Sequence, residues 1–147
     1  RVFKLGTERC MNKIYASASV TIDIPFHDVD MMGVVWHGRY AKYLEIAREE
    51  MLGTIGYGVA PMKASGYAWP VIEMNIRYAQ PLRFEQKIRI QADLVEVENR
   101  LKTSFRIFDV TTGRRLTKAY TVQVALDMND GKMLYASPRA LLDKVTL

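Results

Sequence analysis

RYAKYLEIAREEMLGTIGYG, residues Arg39 to Gly58, carries the one long helical pattern in this chain. Apolar residues that recur every three or four positions lie along one face of a helix. Here they are Tyr40, Leu44, Ala47, Met51 and Ile55, and the glycines at positions 53, 56 and 58 mark the end of the pattern. The stretch therefore predicts a long amphipathic helix whose broad apolar face must be buried against other structure.

Five strand-like runs surround this helix, one before it and four after it. Each run alternates apolar with polar or small residues, which is the period of a strand with one buried face. The runs are Tyr15–Phe26, Trp69–Pro81, Lys87–Leu94, Arg100–Val110 and Arg115–Met128. The turn sequence TTGR at 111–114 joins the last two runs, and NDGK at 129–132 is another tight turn. Tight links between consecutive strands predict an antiparallel sheet.

Together these patterns predict an α+β domain in which a five-stranded antiparallel sheet packs against one long helix. A short terminal helix is expected after Ser137, the predicted N-cap, with Pro138 at the first helical position. One sheet on one helix leaves a sheet edge and a sheet face to be covered, so self-association is expected. Residues 14–147 are interpreted as a single domain, and residues 1–13 as a leader or as residues added by cloning.

The charge of the chain is modest and unevenly distributed. The formal net charge is +5, of which the segment 1–13 carries +3. A basic leader on a nearly balanced domain argues against a nucleic-acid-binding face, whereas small anions that bear phosphates are suitable partners. No apolar run approaches the length of a membrane span. Cys10 is the single cysteine, which excludes an internal disulfide and fits a cytoplasmic location.

The stretch FHDVDMMGVVWHGRY, Phe26 to Tyr40, leads into the helix and holds both histidines of the chain. Its acids and its glycine have an ordinary structural interpretation as turn and cap residues. A metal site made from His27, Asp28, Asp30 and His37 is a second interpretation. The histidines are ten positions apart, however, and no HExxH motif or cysteine cluster supports them. We therefore expect no metal and no other cofactor.

Acyl-transfer chemistry at the helix start is the third interpretation of this stretch. Gly33 lets the chain turn, and the helix begins near Trp36 to Gly38. Unpaired N–H groups at a helix start carry partial positive charge and suit a carbonyl oxygen that becomes an oxyanion. A carboxylate seven residues earlier could activate water or attack the carbonyl carbon. No G-x-S-x-G sequence supports a serine nucleophile.

The same residues resemble a known family. The pattern D-x-D-x-x-G-x-V-x-H-x-x-Y from Asp28 to Tyr40, the helix sequence YLEIAREEML and the four following strands resemble the hotdog-fold acyl-CoA thioesterases. The most similar group is that of 4-hydroxybenzoyl-CoA thioesterase and YbgC, and the resemblance extends over residues 15 to 145. It implies a hotdog fold, with a five-stranded antiparallel sheet wrapped around one central helix. It also implies homodimers or homotetramers with metal-free active sites at the dimer interface.

The resemblance implies roles for individual residues. The family's catalytic carboxylate corresponds to Asp30, which acts as nucleophile or as general base. The family's histidine corresponds to His37, whose backbone N–H polarises the thioester carbonyl. Gly33, Val35 and Trp36 are expected to line the substrate site around them.

Two further positions bear on this resemblance. YbgC-type members often have a tyrosine four residues before the catalytic acid, and this chain has Phe26 there. Arg100 and Lys102 fall near the family's phosphate-binding basic residues, so they are expected to bind the CoA tail. A solvated strand face is the ordinary alternative for these two residues.

The expected function is hydrolysis of an acyl-CoA thioester to a free acid and CoA. Two alternatives stay open at this point. One is an acyl-carrier-protein thioesterase of a fatty-acid or polyketide pathway, whose acidic carrier would suit the basic charge of the chain. The other is a non-catalytic acyl-CoA-binding module, which would bind without turnover.

Overall fold

The computed structural model describes residues 13–145, so the expected leader lies outside the described residues except for Lys13. The elements in chain order are β1 (Ala16–Asp23), α1 (Tyr40–Thr54), α2 (Val59–Ser65), β2 (Tyr67–Ala68), β3 (Val71–Arg77), β4 (Lys87–Glu96), β5 (Leu101–Asp109), β6 (Arg115–Gln123), β7 (Leu126–Asp127) and α3 (Arg139–Val145). Two 3-10 turns, Phe26–Asp28 and His37–Arg39, lie between β1 and α1. None of the helices in the described part is long and apolar enough to cross a membrane.

Among residues 13–145, the main sheet contains five antiparallel strands in the order β1-β4-β5-β6-β3. The tight turns between β4, β5 and β6 make these strands neighbours, as the sequence predicts. Strand β3 instead pairs with β6, so the segment between β3 and β4 crosses from one side of the sheet to the other. β2 and β7 form a separate two-stranded ribbon.

The long helix α1 packs across the inner face of this sheet. Leu44, Ala47 and Met51 of its apolar face are fully buried, in agreement with the helical spacing of the sequence. The strands contribute their alternating apolar residues to the same core, including Ile88, Ile90, Leu94, Leu101, Phe105 and Ile107. The predicted α+β architecture, one sheet around one central helix, is therefore confirmed.

Strand β3 differs from its prediction. The alternation of the sequence predicts that Ile72 and Met74 are buried on one face, yet both are exposed. The pairing with β6 shifts at a bulge between Val71 and Glu73, and β3 is a sheet edge in the described chain. An exposed apolar edge strand is a surface that a second chain can cover.

Three smaller features also differ from the sequence pattern. The helix α2 and the β2–β7 ribbon were not predicted, and the last predicted strand ends at Gln123 before β7 begins. The terminal helix α3 is present, but the hydroxyl of Ser137 is buried and has no hydrogen-bond partner among the described residues, so it does not cap the helix.

Candidate active site

A short hairpin carries both acids of the D-x-D motif. Val29 pairs with Val35, and the Asp30 N–H donates to the carbonyl oxygen of Val34 at 2.9 Å. The turn closes where the Gly33 N–H donates to the carbonyl oxygen of Asp30, also at 2.9 Å. Gly33 has a φ of +81°, a conformation that side chains of L residues disfavour, so glycine is favoured here. The hairpin places Asp30 at its turn.

Asp30 is exposed, and its carboxylate accepts one hydrogen bond within residues 13–145. Asp30 Oδ1 accepts the backbone N–H of Met32 at 2.8 Å, which fixes the carboxylate against the turn. No cation among residues 13–145 forms an ion pair with it. An ionised carboxylate with a free oxygen can act as a nucleophile or accept a proton from water.

Asp28 has the opposite environment, since only 1% of its surface is exposed. Lys42 Nζ lies 2.7 Å from each of its carboxylate oxygens, and the Tyr43 hydroxyl donates to Oδ2 at 2.6 Å. Burial alone raises the pKa of Asp28, but the hydrogen bonds from Lys42 and Tyr43 outweigh it and hold that pKa below its usual range. Asp28 therefore joins the hairpin to the first turn of α1.

The 3-10 turn His37–Arg39 runs directly into α1 and forms the start of one continuous helical segment. The Arg39 N–H donates to the carbonyl oxygen of Trp36, whereas the N–H groups of His37 and Gly38 have no acceptor within the described chain. Two free N–H groups at a helix start carry partial positive charge and suit an oxyanion. The sequence predicts this position correctly as the beginning of the helix.

Aromatic side chains surround this helix start. The Tyr78 hydroxyl donates to the carbonyl oxygen of His37 at 3.3 Å, and the Trp36 and His37 rings have centroids 5.1 Å apart. The Trp36 ring lies over Gly38 so closely that any added Cβ atom would overlap it. Gly38 was not singled out from the sequence, although it follows His37 inside the motif. The absence of a side chain at Gly38 is what lets Trp36 cover the turn.

The other predicted site residues lie in different environments. Val35 is buried, and its N–H donates to the carbonyl oxygen of Leu82 at 2.7 Å. Phe26 is 74% exposed and packs edge-on against Phe84, with ring centroids 5.5 Å apart. No phenol therefore occupies the position of the family's tyrosine, and the Tyr78 hydroxyl is the one bonded to the helix start.

The two predicted phosphate-binding residues, Arg100 and Lys102, have different surroundings. Arg100 Nε donates to Glu96 Oε2 at 2.8 Å, so its charge is partly neutralised within the turn. Lys102 instead lines a groove of about 630 Å³ on the outer face of the sheet, where its ammonium lies 4.6 Å from the centre of the Tyr120 ring. Two further cations, Arg77 and Lys118, line the same groove and were not singled out from the sequence.

Within one chain, Asp30 and His37 lie at opposite ends of the hairpin. Asp30 is at the turn, whereas His37 follows Trp36, whose N–H bonds to the carbonyl oxygen of Asp28 at the open end of the hairpin. No hydrogen bond joins Asp30 to His37 in the part of the chain that the structure describes. No group of three His, Cys, Asp or Glu side chains that could hold a metal occurs among residues 13–145.

Comparison with known proteins identifies relatives of this chain. A profile described as Thioesterase-like superfamily matches residues 24–144. A Synechocystis protein assigned as an esterase is 32% identical over 120 residues, 81% of this chain and 72% of that protein. The acyl-CoA thioester hydrolase YbgC of Escherichia coli is 29% identical over 76 residues, 52% of this chain and 57% of that protein.

A solved structure shares the fold. The DHNA-CoA thioesterase of Staphylococcus aureus superimposes with a TM-score of 0.74 at 23% identity. The match covers 81% of this chain and 80% of that one. At this level of identity, the likeness bears on the fold alone.

Proposed function

Because this chain belongs to the thioesterase-like superfamily of hotdog proteins, we propose that it hydrolyses the thioester bond of an acyl-CoA to a free acid and CoA. The observation that carries the proposal is the contrast between the two acids of one hairpin. Asp28 is buried and fully bonded, while Asp30 is exposed with an oxygen free. The family match and this free carboxylate, on the hairpin that leads into the helix start, point to the same chemistry.

Asp30 is the reacting group in this proposal. Its free carboxylate oxygen attacks the thioester carbonyl carbon, the C–S bond breaks with release of CoA thiolate, and water then attacks the Asp30 carboxyl carbon of the resulting anhydride, which frees the acid and restores Asp30. In the alternative route, Asp30 takes a proton from a water molecule that attacks the same carbon. A single turnover in ¹⁸O-labelled water separates the two routes. In direct attack, with the anhydride opened at the Asp30 carboxyl carbon, the first acid product carries no ¹⁸O and the Asp30 carboxylate becomes labelled instead, whereas general-base catalysis places one ¹⁸O atom in that product.

The free N–H groups of His37 and Gly38 receive the carbonyl oxygen as it becomes an oxyanion. Two observations support this assignment. Neither N–H group has an acceptor in the described chain, and the Trp36 ring covers the turn. Donors that are already oriented stabilise the charge that develops in the transition state without further reorganisation. Gly33 serves this site through the turn that presents Asp30, and Val35 through the packing that holds the hairpin.

A dimer completes the site in our proposal. Within one chain Asp30 and the helix start lie at opposite ends of the hairpin, and the exposed edge of β3 carries Val71, Ile72 and Met74. Pairing of two such edges would bury these apolar side chains and satisfy the edge's backbone groups. The Asp30 of one chain would then act on a thioester held at the helix start of the partner subunit. A homotetramer would form by association of two such dimers.

The CoA phosphates are assigned to the outer groove. Arg77, Lys102 and Lys118 line it, and none of the described lining residues is acidic. Glu73 lies beside the groove, where its carboxylate accepts a hydrogen bond from the Tyr120 hydroxyl at 2.6 Å. Phosphates bind well to clustered Arg and Lys side chains. Arg100 contributes less in this proposal, because Glu96 already accepts its Nε–H at 2.8 Å.

A carrier-protein thioester is the second candidate substrate. The same basic groove suits an acidic carrier protein, and a plant acyl-acyl carrier protein thioesterase is 30% identical over 73 residues, half of this chain. The two substrates are compared by hydrolysis of one acyl group presented on CoA and on carrier protein.

The decisive assay for the function is a panel of short, long, branched and aromatic acyl-CoAs, with free thiol as the readout. The proposal expects turnover of at least one member well above the rate without protein. Tight binding of acyl-CoA without any thiol release would instead identify a non-catalytic binding module and overturn the proposal.

A further inference from the structure

The outer face of the main sheet carries cations well beyond the groove assigned to the CoA phosphates. Successive residues of a strand point to opposite faces, and directly opposite residues of neighbouring strands share a face. Arg89, for example, lies between Ile88 and Ile90, which have no exposed surface, so its side chain lies on the outer face. The same alternation and the strand pairing place six cations there, namely Arg77, Arg89, Lys102, Arg106, Arg115 and Lys118.

These six residues, here called the outer basic face, form a surface of one sign. Two acids, Asp93 and Glu73, lie among them, so the six cations and two acids leave a net formal charge of +4. The ion pairs Asp23–Lys87 and Glu96–Arg100 at the ends of the face are neutral. Residues 14–147 carry only +2 in total, so the rest of the domain is net negative. The near balance of the whole domain, from which the sequence argues against a nucleic-acid-binding face, therefore hides this surface.

Three of the cations lie side by side on neighbouring strands. Arg106 is directly opposite Lys118 across β5 and β6, and Lys118 is directly opposite Arg77 across β6 and β3. Side chains in directly opposite positions have Cβ atoms about 5 Å apart, where like charges are destabilising. Asp93 Oδ2 accepts a hydrogen bond from Arg106 at 3.0 Å, but no acid among residues 13–145 forms an ion pair with Lys118 or Arg77. The row therefore destabilises the free chain, and a bound anion would remove that cost.

Two aromatic rings hold other cations of the face in place. The guanidinium carbons of Arg89 and Arg106 lie 4.6 Å and 5.8 Å from the centre of the Phe108 ring. Lys102 Nζ lies 4.6 Å from the centre of the Tyr120 ring. A cation over an aromatic ring is fixed in position, yet it keeps its charge. The face thus offers oriented cations and flat guanidinium groups together.

The extent and chemistry of the face distinguish among anionic ligands. The cations extend from β4 to β3, three strand spacings or about 14 Å, which is more than one phosphate group can span. The Phe108 and Tyr120 rings are half-buried beneath the cations, so they cannot insert into a bilayer. Unpaired bases stack on aromatic rings and guanidinium planes, while cations track the phosphates. A single nucleic-acid strand supplies both groups, whereas an acidic protein supplies only the charge.

We propose that the outer basic face binds single-stranded nucleic acid. The phosphates lie along the row of Arg77, Lys118 and Arg106, and a base stacks on the guanidinium plane of Arg89. This binding activity does not depend on the proposed thioesterase function. The two ligands share Arg77, Lys102 and Lys118, which line the groove assigned to the CoA phosphates, so the strand and acyl-CoA compete for the protein.

The test is fluorescence anisotropy of the full chain with a labelled RNA strand of about 12 nucleotides. Arg89→Gln and Arg115→Gln should each weaken binding by about threefold or more. Each should also reduce the slope of log affinity against log salt by about 0.7, the value for one phosphate contact on a single strand. Arg139→Gln removes an exposed arginine of α3 and should keep the parental affinity and slope. Neither Arg89 nor Arg115 lines the groove, so both variants should hydrolyse acyl-CoA at the parental rate.

Three controls separate the strand from other anions. An abasic strand of the same length cannot stack and should bind about tenfold more weakly. Equal affinity for the abasic strand, or tighter binding of polyglutamate or of phosphatidylglycerol vesicles, overturns the proposal. No RNA binding by the parent also overturns it, as does an affinity that Arg89→Gln, Arg115→Gln and Arg139→Gln change equally. All of these results leave the thioesterase function standing, because hydrolysis is measured separately, and RNA binding without hydrolysis would contradict that function alone.

Lys118→Gln gives an independent readout of the same face. The substitution removes the middle charge of the row, so Tm should rise while the affinity for the RNA strand falls. A lower Tm in Lys118→Gln would show that the row does not destabilise the free chain and would overturn the proposal. Arg115 is exposed, so Arg115→Gln supplies the binding test if Arg89→Gln does not fold.

Discussion

Lys42 Nζ lies 2.7 Å from both carboxylate oxygens of Asp28, and this contact joins the first turn of α1 to the hairpin that carries Asp30. The Tyr43 hydroxyl strengthens the junction with a 2.6 Å hydrogen bond to the same carboxylate. The two acids of one motif thus have separate tasks. Asp28 sets the position of the hairpin, and Asp30 is free to react in the proposed mechanism.

Asp28→Asn tests this junction. The amide keeps the size of the carboxylate but loses the charge that binds Lys42, so we expect the free energy of unfolding to fall by about 1–3 kcal/mol. Urea denaturation followed by circular dichroism measures the change. The exposed Asp143→Asn is the matched control and should stay within about 0.5 kcal/mol of the parent. Equal stability of Asp28→Asn and the parent would show that the junction does not hold the hairpin.

The pH dependence of stability gives this prediction a second readout. The pKa of Asp28 is lower in the folded chain than its ordinary value, so the folded state binds fewer protons there than the unfolded state. Its contribution is fully present above the ordinary carboxyl pKa of about 3.9. It is lost as the pH falls through the lowered folded-state pKa. Below about pH 4 the parent should therefore lose stability more steeply than Asp28→Asn, and parallel curves would contradict the assignment.

Much of the fold could be predicted because its residues obey simple periods. The spacing of Leu44, Ala47 and Met51 gives the central helix, and period-two alternation gives the strands β4 and β5. The position of β3 could not be predicted, since no local pattern specifies that it pairs with β6 at the far edge. The alternation also predicts a buried face for Ile72, which is exposed on this edge strand of the described chain.

The candidate site divides in the same way. The D-x-D spacing, Gly33 and the helix start follow from sequence, because they depend on local geometry. The burial of Arg48 does not follow from the sequence. Its spacing of three residues from Glu45 predicts an ion pair on the helix surface, whereas burial depends on tertiary packing. The sequence likewise predicts that Lys42 faces solvent on the helix. Its ammonium instead binds the carboxylate of Asp28, fourteen positions earlier in the chain.

Gly38 and Gly53 form a matched pair for testing the helix start. A Cβ at Gly38 would overlap the Trp36 ring, so Gly38→Ala should displace that ring and lower kcat/KM at least tenfold. A Cβ at Gly53 meets no atom within 4 Å. Gly53→Ala, inside α1, should therefore raise the free energy of unfolding by about 0.5–1 kcal/mol. Steady-state kinetics and thermal unfolding of both variants measure these changes, and parental activity in Gly38→Ala would contradict the role of the turn.

Arg48→Met should stabilise the protein. Burial lowers the pKa of Arg48, which reports the cost of removing the charge from water, and one 3.3 Å bond to an exposed acid does not offset it. Met fills a similar volume without a charge, so the free energy of unfolding should rise by about 1 kcal/mol or more. Differential scanning calorimetry would record a higher Tm. A lower Tm would mean that the guanidinium is fully satisfied in the native protein.

The proposed dimer is tested at its edge strand. Ile72 is 53% exposed on β3, so Ile72→Glu should leave the single chain folded while charge repulsion weakens the pairing of two edges. Sedimentation velocity should show a shift toward monomer, with loss of hydrolysis in proportion. Val110→Glu, at an exposed apolar position beyond β5, is the control and should keep the parental assembly. A monomeric parent with full activity would exclude a site shared between chains.

The central claim, that Asp30 is the reacting carboxylate, is tested most directly by kcat of Asp30→Asn on the best acyl-CoA substrate. Asparagine can retain the hydrogen bond from the Met32 N–H and thus the turn, but it can neither attack as a carboxylate nor take a proton. The account predicts a parental Tm with kcat reduced at least a hundredfold. Hydrolysis at the parental rate by well-folded Asp30→Asn would contradict it.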